Sequence, residues 1–242
     1  MTKLFLAWQD PEDRAWYPVG LLTVEGDRYR FVYTQGALAS ERFIPLGIMQ
    51  DLRKRYESTE LFPLFSNRVL PKSRPEYRDL LHWLNLNADE VDPLQLLALT
   101  EGIRKTDTLT VFPCPTEQKD GTCLVHFFSH GIRYLSKEAI DRVHSLDSGV
   151  RLYLMLDIQN EYDEYAIAIR TDDPKSIVGY CPRYLATDFR QLLTAPDPKE
   201  VEVSVERINR DAPAQLRMLC SLTGPWPEGF RPCEGGHYTP LA

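Results

Sequence analysis

The sequence has no long hydrophobic run, and this absence excludes a large class of proteins. The longest apolar stretches, such as the one from Leu4 to Trp8, fall far short of the ~20 residues that a transmembrane helix requires. The N-terminus soon reaches Asp10 and lacks the apolar core of a signal peptide. With 242 residues, 43% of them hydrophobic, the chain can still form one large domain or two of ordinary size. We therefore expect a cytoplasmic protein without a membrane segment.

Paired cysteines and a positive net charge are also missing. The cysteines are five in number, widely scattered, and form no Cys-x-x-Cys motif: Cys114, Cys123, Cys181, Cys220 and Cys233. This pattern is typical of reduced thiols in a reducing compartment. The formal net charge of -7 argues against a protein that coats duplex DNA through a broad basic surface. Any contact with nucleic acid must be local.

Motifs for catalysis and metal binding are equally scarce. No Gly-x-Ser-x-Gly segment is present, and the histidines lie in no recognisable triad context. A zinc-compatible spacing occurs in the set Cys123, His126, His130, Cys233 and His237. On a strand, however, Cys123 and His126 point to opposite faces. We predict no catalytic residue, no metal site and no cofactor, and therefore a protein that is not an enzyme.

The first half of the chain combines strand and helix patterns. Residues 17–33 predict two strands whose alternating aromatics share one buried face. Ser73, three residues before Glu76, has the pattern of a capping box that opens a helix. Asp92, followed by a proline, predicts the start of a second helix, with Ile103 on its apolar side.

A segment rich in proline and charge, residues 112–121, interrupts these patterns and predicts a domain boundary. The predicted domains are 1–115 and 116–242. Beyond the boundary, strands are predicted at 124–128, 151–158, 166–170, 177–180 and 201–208, and helices at 136–146 and 211–219. Trp226 and Phe230 are expected to dock the final tail onto the body, because large aromatics are a liability in a free tail.

Three segments of the second half carry motifs of a known family. They are Gly131-Ile132-Arg133-Tyr134, the segment Asn160-Glu161-Tyr162-Asp163-Glu164-Tyr165-Ala166-Ile167-Ala168-Ile169, and Val178-Gly179-Tyr180-Cys181-Pro182-Arg183-Tyr184-Leu185-Ala186. In this order and spacing they resemble the HIRAN domain, over about residues 120–205. The resemblance implies a small OB-like β-barrel. Eukaryotic helicase-associated HIRAN domains capture a single-stranded 3′ DNA end.

If this activity transfers, the resemblance implies a role for five residues. Tyr134 and Tyr162 would stack on the terminal bases, at about 1 to 3 kcal/mol for each stacked base. Asp163 would accept a hydrogen bond from the terminal 3′ hydroxyl, since a carboxylate favours a free hydroxyl and repels a continuing phosphate. Arg133 and Arg183 would bind backbone phosphates through their guanidinium forks.

A purely structural interpretation of the same residues stays open. Asp163 also suits a turn-capping role, and Tyr162 and Tyr165 suit packing of the barrel. Glu161 and Glu164 add negative charge where DNA would approach. This is a departure from what a DNA-binding surface requires.

Residues from about 4 to 113 resemble the N-terminal subdomain of HipA-type toxin kinases. The similar segments include Val19-Gly20, Tyr29-Arg30-Phe31 and the run from Phe62 to Pro71, into which Arg68 intrudes. The catalytic part of such kinases is missing from this chain. The resemblance therefore implies an antitoxin-like partner of a separate kinase chain, and it assigns no site residue.

Together these patterns predict an α+β protein: a HipA N-terminal-like domain, then a HIRAN-like barrel with a helical C-terminal extension. The favoured function is a non-catalytic regulatory or antitoxin-like component of a HipA-type kinase system. Its expected partners are a single-stranded DNA 3′ end and a HipA-like kinase chain, with no membrane contact. One alternative is a free-standing DNA-end sensor or adaptor that recruits a nuclease, helicase or other defence or repair partner. Another is an adaptor that binds only protein.

Surface charge separates these alternatives. A basic groove would favour nucleic acid, and its expected members are Arg133, Lys137, Arg183 and Arg190. An acidic surface around Glu161, Asp163 and Glu164 would favour the adaptor.

Overall fold

The structure is a computed structural model that describes residues 3–89, 91–194 and 200–242. The strands are β1 (Lys3–Gln9), β2 (Trp16–Glu25), β3 (Arg28–Tyr33), β4 (Tyr56–Ser58), β5 (Leu109–Pro113), β6 (Thr122–Phe128), β7 (Arg151–Leu156), β8 (Ile167–Arg170), β9 (Ile177–Tyr180), β10 (Glu202–Ile208) and β11 (Met218–Pro225). The α-helices are α1 (Pro63–Ser66), α2 (Tyr77–Trp83), α3 (Pro93–Thr100), α4 (Lys137–His144) and α5 (Arg183–Leu193). Within the described ranges, no helix combines the length and the apolar character needed to cross a membrane.

The chain divides into two compact units. The first consists of Met1–Tyr77, Asn87–Cys114 and Cys233–Ala242, and the second of Arg78–Leu86 and Pro115–Pro232. Most of α2 thus belongs to the second unit, and the last ten residues belong to the first. Leu241 donates its backbone N–H to the carbonyl of Tyr33, which attaches this C-terminal segment to strand β3.

The first unit is built on an antiparallel sheet in the order β4-β3-β2-β1-β5. Strands β2 and β3 confirm the two strands predicted for residues 17–33. On β3, Phe31 and Tyr33 are fully buried, as the alternation predicts. They pack among other apolar residues of the core, including Phe62 and Phe65.

The helices of the first half differ from the prediction at their ends. Helix α2 begins at Tyr77, so Glu76 lies outside it and the predicted capping box is wrong. Asp92 does cap α3, because its carboxylate accepts the backbone N–H of Leu94 at 3.1 Å. The helix ends before Glu101, which adopts a left-handed conformation with φ of 58°. Ile103 consequently lies beyond the helix and is exposed, which contradicts its predicted place on the apolar side.

The second unit is built on a curled antiparallel sheet in the order β6-β11-β10-β7-β8-β9. His130, just after β6, forms an antiparallel bridge with Tyr180 at the end of β9, with N···O distances of 2.8 and 2.9 Å. This bridge joins the two edges at one end and makes the sheet a half-barrel. The unit is therefore mixed α+β with few helices, and this coarse part of the predicted fold is confirmed.

The predicted helical C-terminal extension is wrong. Residues 211–219 contain only a short 3-10 turn, Ala214–Leu216, and then enter β11. Strand β11 lies inside the sheet between β6 and β10, with residues Met218 to Leu222 all buried. A strand buried on both faces has no alternating pattern, so periodicity cannot distinguish it from a buried helix. Because β11 belongs to the sheet, the unit extends past residue 205, where the predicted HIRAN segment ended.

Two other features of the second unit bear on the site. Trp226 and Phe230 contact each other edge to face at 4.8 Å and pack against the core, which confirms their docking role. Helix α5 was not predicted at all. Its buried face includes Leu185 and Phe189, and it begins with Arg183 directly after Pro182.

Candidate functional site

The second unit contains a cavity of about 710 Å³ where three loops meet. We call it the tyrosine cavity. Its lining residues come from the loop after β6, the β7–β8 connection, and the segment from the end of β9 to the start of α5: His130, Gly131, Tyr134, Leu135, Asn160, Tyr162, Asp163, Ala166, Tyr180, Cys181 and Arg183. The fold therefore brings together all three segments that carry the HIRAN-like motifs.

The first of these segments, residues 131–134, places the exposed Tyr134 at the cavity. Gly131 has a φ of 75°, which favours glycine, and it begins the short 3-10 helix Ile132–Tyr134. Ile132 is buried and anchors this helix, whereas Tyr134 is 76% exposed. The Arg133 guanidinium lies over the Tyr134 ring, 4.5 Å from its centroid, and hydrogen-bonds to its hydroxyl. Arg133 thus supports the ring but does not itself line the cavity.

The second segment is a turn stabilised by its own side chains. Asn160 accepts the backbone N–H groups of Tyr162 and Asp163, both at 3.0 Å. Its amide also donates to Asp157 at 3.0 Å, and the Asp157 carboxylate accepts the Tyr180 hydroxyl at 3.1 Å. These contacts connect the turn to the end of β9, so the turn has a defined shape at the cavity.

Asp163 uses its two carboxylate oxygens differently. Oδ1 accepts the backbone N–H of Tyr165 at 3.0 Å, so the turn-capping interpretation is confirmed. Oδ2 lies 3.4 Å from Nε of Arg183. The side chain keeps 15% of its surface exposed and lines the cavity. Capping therefore occupies one oxygen only, and a carboxylate has about four acceptor positions in all.

The two tyrosines of this turn do not pack in the barrel core. Tyr162 is 87% exposed and Tyr165 is 46% exposed. The packing interpretation is therefore wrong for Tyr162, which lines the cavity. Tyr165 lies outside the cavity lining, with the Arg190 guanidinium 5.5 Å from its ring centroid.

The third segment approaches the loop after β6 closely. Gly179 has a φ of 143°, and a Cβ at this position would overlap the Ser129 side chain. Burial holds the pKa of the Cys181 thiol well above its usual range, and burial with the Asp157 hydrogen bond raises the pKa of Tyr180. Both groups are neutral near pH 7, so Cys181 is not an activated nucleophile.

Most of the predicted site residues meet in this cavity. Tyr134, Tyr162, Asp163 and Arg183 line it, and Arg133 contacts it through the Tyr134 ring. Sequence reasoning missed the structural part played by Tyr180, although it lies within the third quoted motif. The predicted basic groove is not assembled around the cavity. Of its four expected members only Arg183 lines the cavity, whereas Arg133, Lys137 and Arg190 do not. Glu161 and Glu164 are both exposed beside the site.

The zinc-compatible spacing brings no ligands together. Cys123 is buried and His126 is exposed, as expected for residues on opposite faces of β6. Over residues 3–89, 91–194 and 200–242, no group of three or more His, Cys, Asp or Glu side chains is arranged to hold a metal ion.

Comparison with known proteins agrees with the three motifs. Residues 124–227 match the family model of the HIRAN domain. Among solved structures, the HIRAN domain of human HLTF is similar, with 19% identity, a TM-score of 0.32, and coverage of 44% of this chain and 81% of that one. A Lactobacillus plantarum protein is similar at 19% identity and a TM-score of 0.32, covering 43% of this chain and 99% of the other.

A search of curated proteins finds no match. The HipA-like resemblance of residues 4–113 stays a prediction, because the family match begins beyond that segment. The HIRAN part of the prediction is confirmed by the family model, whose range includes β11. The match to the HIRAN domain family thus extends over residues 124–227 of this chain.

Proposed function

We propose that the second unit binds the 3′ end of a single DNA strand in the tyrosine cavity. The observation that carries the proposal is the convergence of Tyr134, Tyr162, Asp163 and Arg183 on one cavity from three separate segments. Two of these residues are tyrosines that are 76% and 87% exposed, next to a carboxylate and a guanidinium. That combination suits a ligand with flat bases, a hydroxyl and phosphates.

The exposed rings supply sequence-tolerant affinity. Every base has a π face, so Tyr134 and Tyr162 can each stack on one, at about 1 to 3 kcal/mol per base. Arg133 already contacts the Tyr134 ring, which limits the movement of that ring before DNA binds. Preorganisation of this kind lowers the entropic cost of binding.

Asp163 and Arg183 together favour a terminal hydroxyl over a terminal phosphate. The carboxylate can accept the 3′ hydroxyl at an unused position while Arg183 binds the neighbouring phosphate. A 3′ phosphate would bring further negative charge against the Asp163 carboxylate, and because this side chain is only 15% exposed, solvent screens the repulsion poorly. The net charge of -7 agrees with such a local contact and not with a broad DNA-coating surface.

The test measures fluorescence anisotropy with short oligonucleotides that carry either a 3′ hydroxyl or a 3′ phosphate. The native protein should bind the hydroxyl end more tightly. Asp163→Asn keeps an oxygen to cap Tyr165 but removes the charge, so it should fold normally and lose most of the discrimination. Asp163→Ala removes the cap as well and should weaken binding of the hydroxyl end. Failure of the native protein to bind either oligonucleotide would refute the proposal.

The partner of the first unit is a separate part of the proposal. An antitoxin-like role rests on the resemblance of residues 4–113 to the HipA subdomain alone. It predicts that the full chain co-purifies with a HipA-like kinase lacking that subdomain. Co-purification with a nuclease or helicase instead would favour a DNA-end sensor that recruits such an enzyme.

A further inference from the structure

A second pairing of a tyrosine with an arginine lies next to the tyrosine cavity. Tyr165 is 46% exposed, and the Arg190 guanidinium lies 5.5 Å from its ring centroid. Arg190 also donates to the backbone carbonyl of Glu164 at 3.4 Å. The pair repeats the arrangement of Arg133 and Tyr134, but its residues come from the β7–β8 turn and from α5.

Two contacts connect this pair to the cavity. The backbone N–H of Tyr165 donates to the carboxylate of Asp163, the residue proposed to bind the 3′ hydroxyl. Tyr165 therefore lies only two residues from the proposed binding position of the 3′ end. On α5, Arg183 and Arg190 are seven residues apart, which is two helical turns or about 10 Å along the axis. The buried face of α5 includes Leu185, Phe189 and Leu192, so both arginines lie on the other side of the helix.

We infer that Tyr165 and Arg190 form a second binding position for single-stranded DNA, located 5′ of the captured end. This inference rests on the proposed function of the tyrosine cavity. The strand would leave the cavity past Arg183 and run along α5, where a base stacks on the exposed face of Tyr165 and Arg190 binds a phosphate. The preferred ligand is then a single strand with a free 3′ end that is longer than the terminal nucleotides bound in the cavity.

The chemistry of the pair suits this role. Aromatic rings bind successive bases without sequence preference, and arginine adds cation–π and phosphate contacts. The Tyr165 ring is not needed for the core, and only its backbone binds Asp163. Substitution of the Tyr165 side chain should therefore leave the turn and the cavity intact. Substitution of Arg190 removes only one long hydrogen bond to this turn, the 3.4 Å contact with the Glu164 carbonyl.

The experiment compares the binding of dT2, dT4 and dT8, all with a 3′ hydroxyl, by competition anisotropy. The native protein should bind dT4 at least about fivefold more tightly than dT2, the lower limit expected for one stacked base. Tyr165→Ala and Arg190→Gln should remove this gain while leaving dT2 binding unchanged. Tyr165→Phe should keep the gain. Arg210→Gln is the matched charge control, because Arg210 is an exposed arginine that binds the His144 carbonyl and does not line the cavity.

The salt dependence of DNA affinity is a second measurement. It would not change if Arg190 had only a structural role. Each phosphate contact on a single strand contributes about 0.7 to the slope of log K against log salt. Arg190→Gln should reduce this slope by about 0.7 for dT8 and leave it unchanged for dT2. Hydroxyl-selective binding of dT2 without any gain for dT4 or dT8 would overturn the second position and leave the proposed function intact. Absence of binding to all three strands would overturn the proposed function itself.

Discussion

Two aspartates, one in each unit, lie in turns beside an arginine but have very different surroundings. Asp10 of the first unit is fully buried, and its carboxylate accepts hydrogen bonds from Arg42, Ser40 and the backbone of Glu12 at 2.8 to 3.0 Å. These contacts, the Arg42 hydrogen bond foremost, lower its pKa to about 2. Asp163 of the second unit caps one backbone N–H, lies 3.4 Å from its arginine, and borders a cavity.

Two tyrosines differ in the same way. Tyr33 of the first unit is fully buried, and its hydroxyl donates to the Met49 carbonyl and accepts the Leu46 N–H, both at 2.7 Å. Tyr162 of the second unit is 87% exposed.

Residue type alone therefore does not separate a structural role from the proposed binding role. A polar group whose hydrogen-bonding positions are filled inside the core stabilises the fold and has little capacity left for a ligand. The same group, partly filled and facing a cavity, keeps that capacity. Substitutions of Tyr33, Tyr162 and Asp10 each change one member of this comparison, and substitution of Glu164 changes a charge beside the cavity that Asp163 borders.

The largest effect is expected for Tyr33, because its ring and its hydroxyl are both buried. Tyr33→Ala should lower the free energy of unfolding by about 3 to 5 kcal/mol, as for other large-to-small substitutions of aromatic core residues. Tyr33→Phe keeps the ring but leaves the Leu46 N–H and the Met49 carbonyl without their partner, and should cost about 1 to 3 kcal/mol. Denaturant unfolding measures both. A loss below about 1 kcal/mol for Tyr33→Ala would contradict the structural role.

Tyr162 should show the opposite behaviour. Tyr162→Ala should change the free energy of unfolding by no more than about 0.5 kcal/mol, as for other exposed positions. It should weaken binding of a 3′-terminated single strand by about 1 to 3 kcal/mol, or about 5- to 150-fold. Tyr162→Phe keeps the ring and serves as the control, with near-native affinity. A stability loss without an affinity loss would reverse the assignment.

Because the pKa of Asp10 is lowered, acid should reduce the stability that this carboxylate contributes to the fold. The folded state holds this carboxyl ionised down to about pH 2, whereas its ordinary pKa is 3.8. The unfolded chain therefore binds the proton first as the pH falls, and the stabilisation is lost between about pH 4 and pH 2. Thermal unfolding of the native protein and of Asp10→Asn should show a weaker acid dependence in the variant over this window. Identical profiles would contradict the prediction.

The smallest effect is expected for Glu164, an exposed carboxylate beside the proposed DNA path. Glu164→Gln removes a like charge near the phosphates but keeps the backbone carbonyl that accepts from Arg190. Affinity for single-stranded DNA should rise by at most about 1 kcal/mol, or fivefold, as for other exposed charge pairs. The gain should disappear near 1 M salt, where the screening length is about 3 Å. A gain that persists there would indicate a direct contact instead.

The sequence by itself determined the features that depend on neighbouring residues. The alternating strands β2 and β3, the Asp92 cap of α3 and the strands around the HIRAN motifs were all predictable. The turn capping by Asp163 was also among the interpretations. Each depends on a side chain and a backbone group a few residues apart, or on a period that a short window contains.

Only the tertiary structure decided the features that join distant segments. The place of β11 inside the sheet depends on pairing with β6, far earlier in the chain, and its uniform burial hides the strand period. Gly131 and Tyr180 lie close together because the sheet curls until the ends of its two edge strands, β6 and β9, come into contact. Tyr165 and Arg190 lie 25 residues apart and meet only once α5 has packed. Long-range pairing depends on packing of the whole core, and no local pattern encodes it.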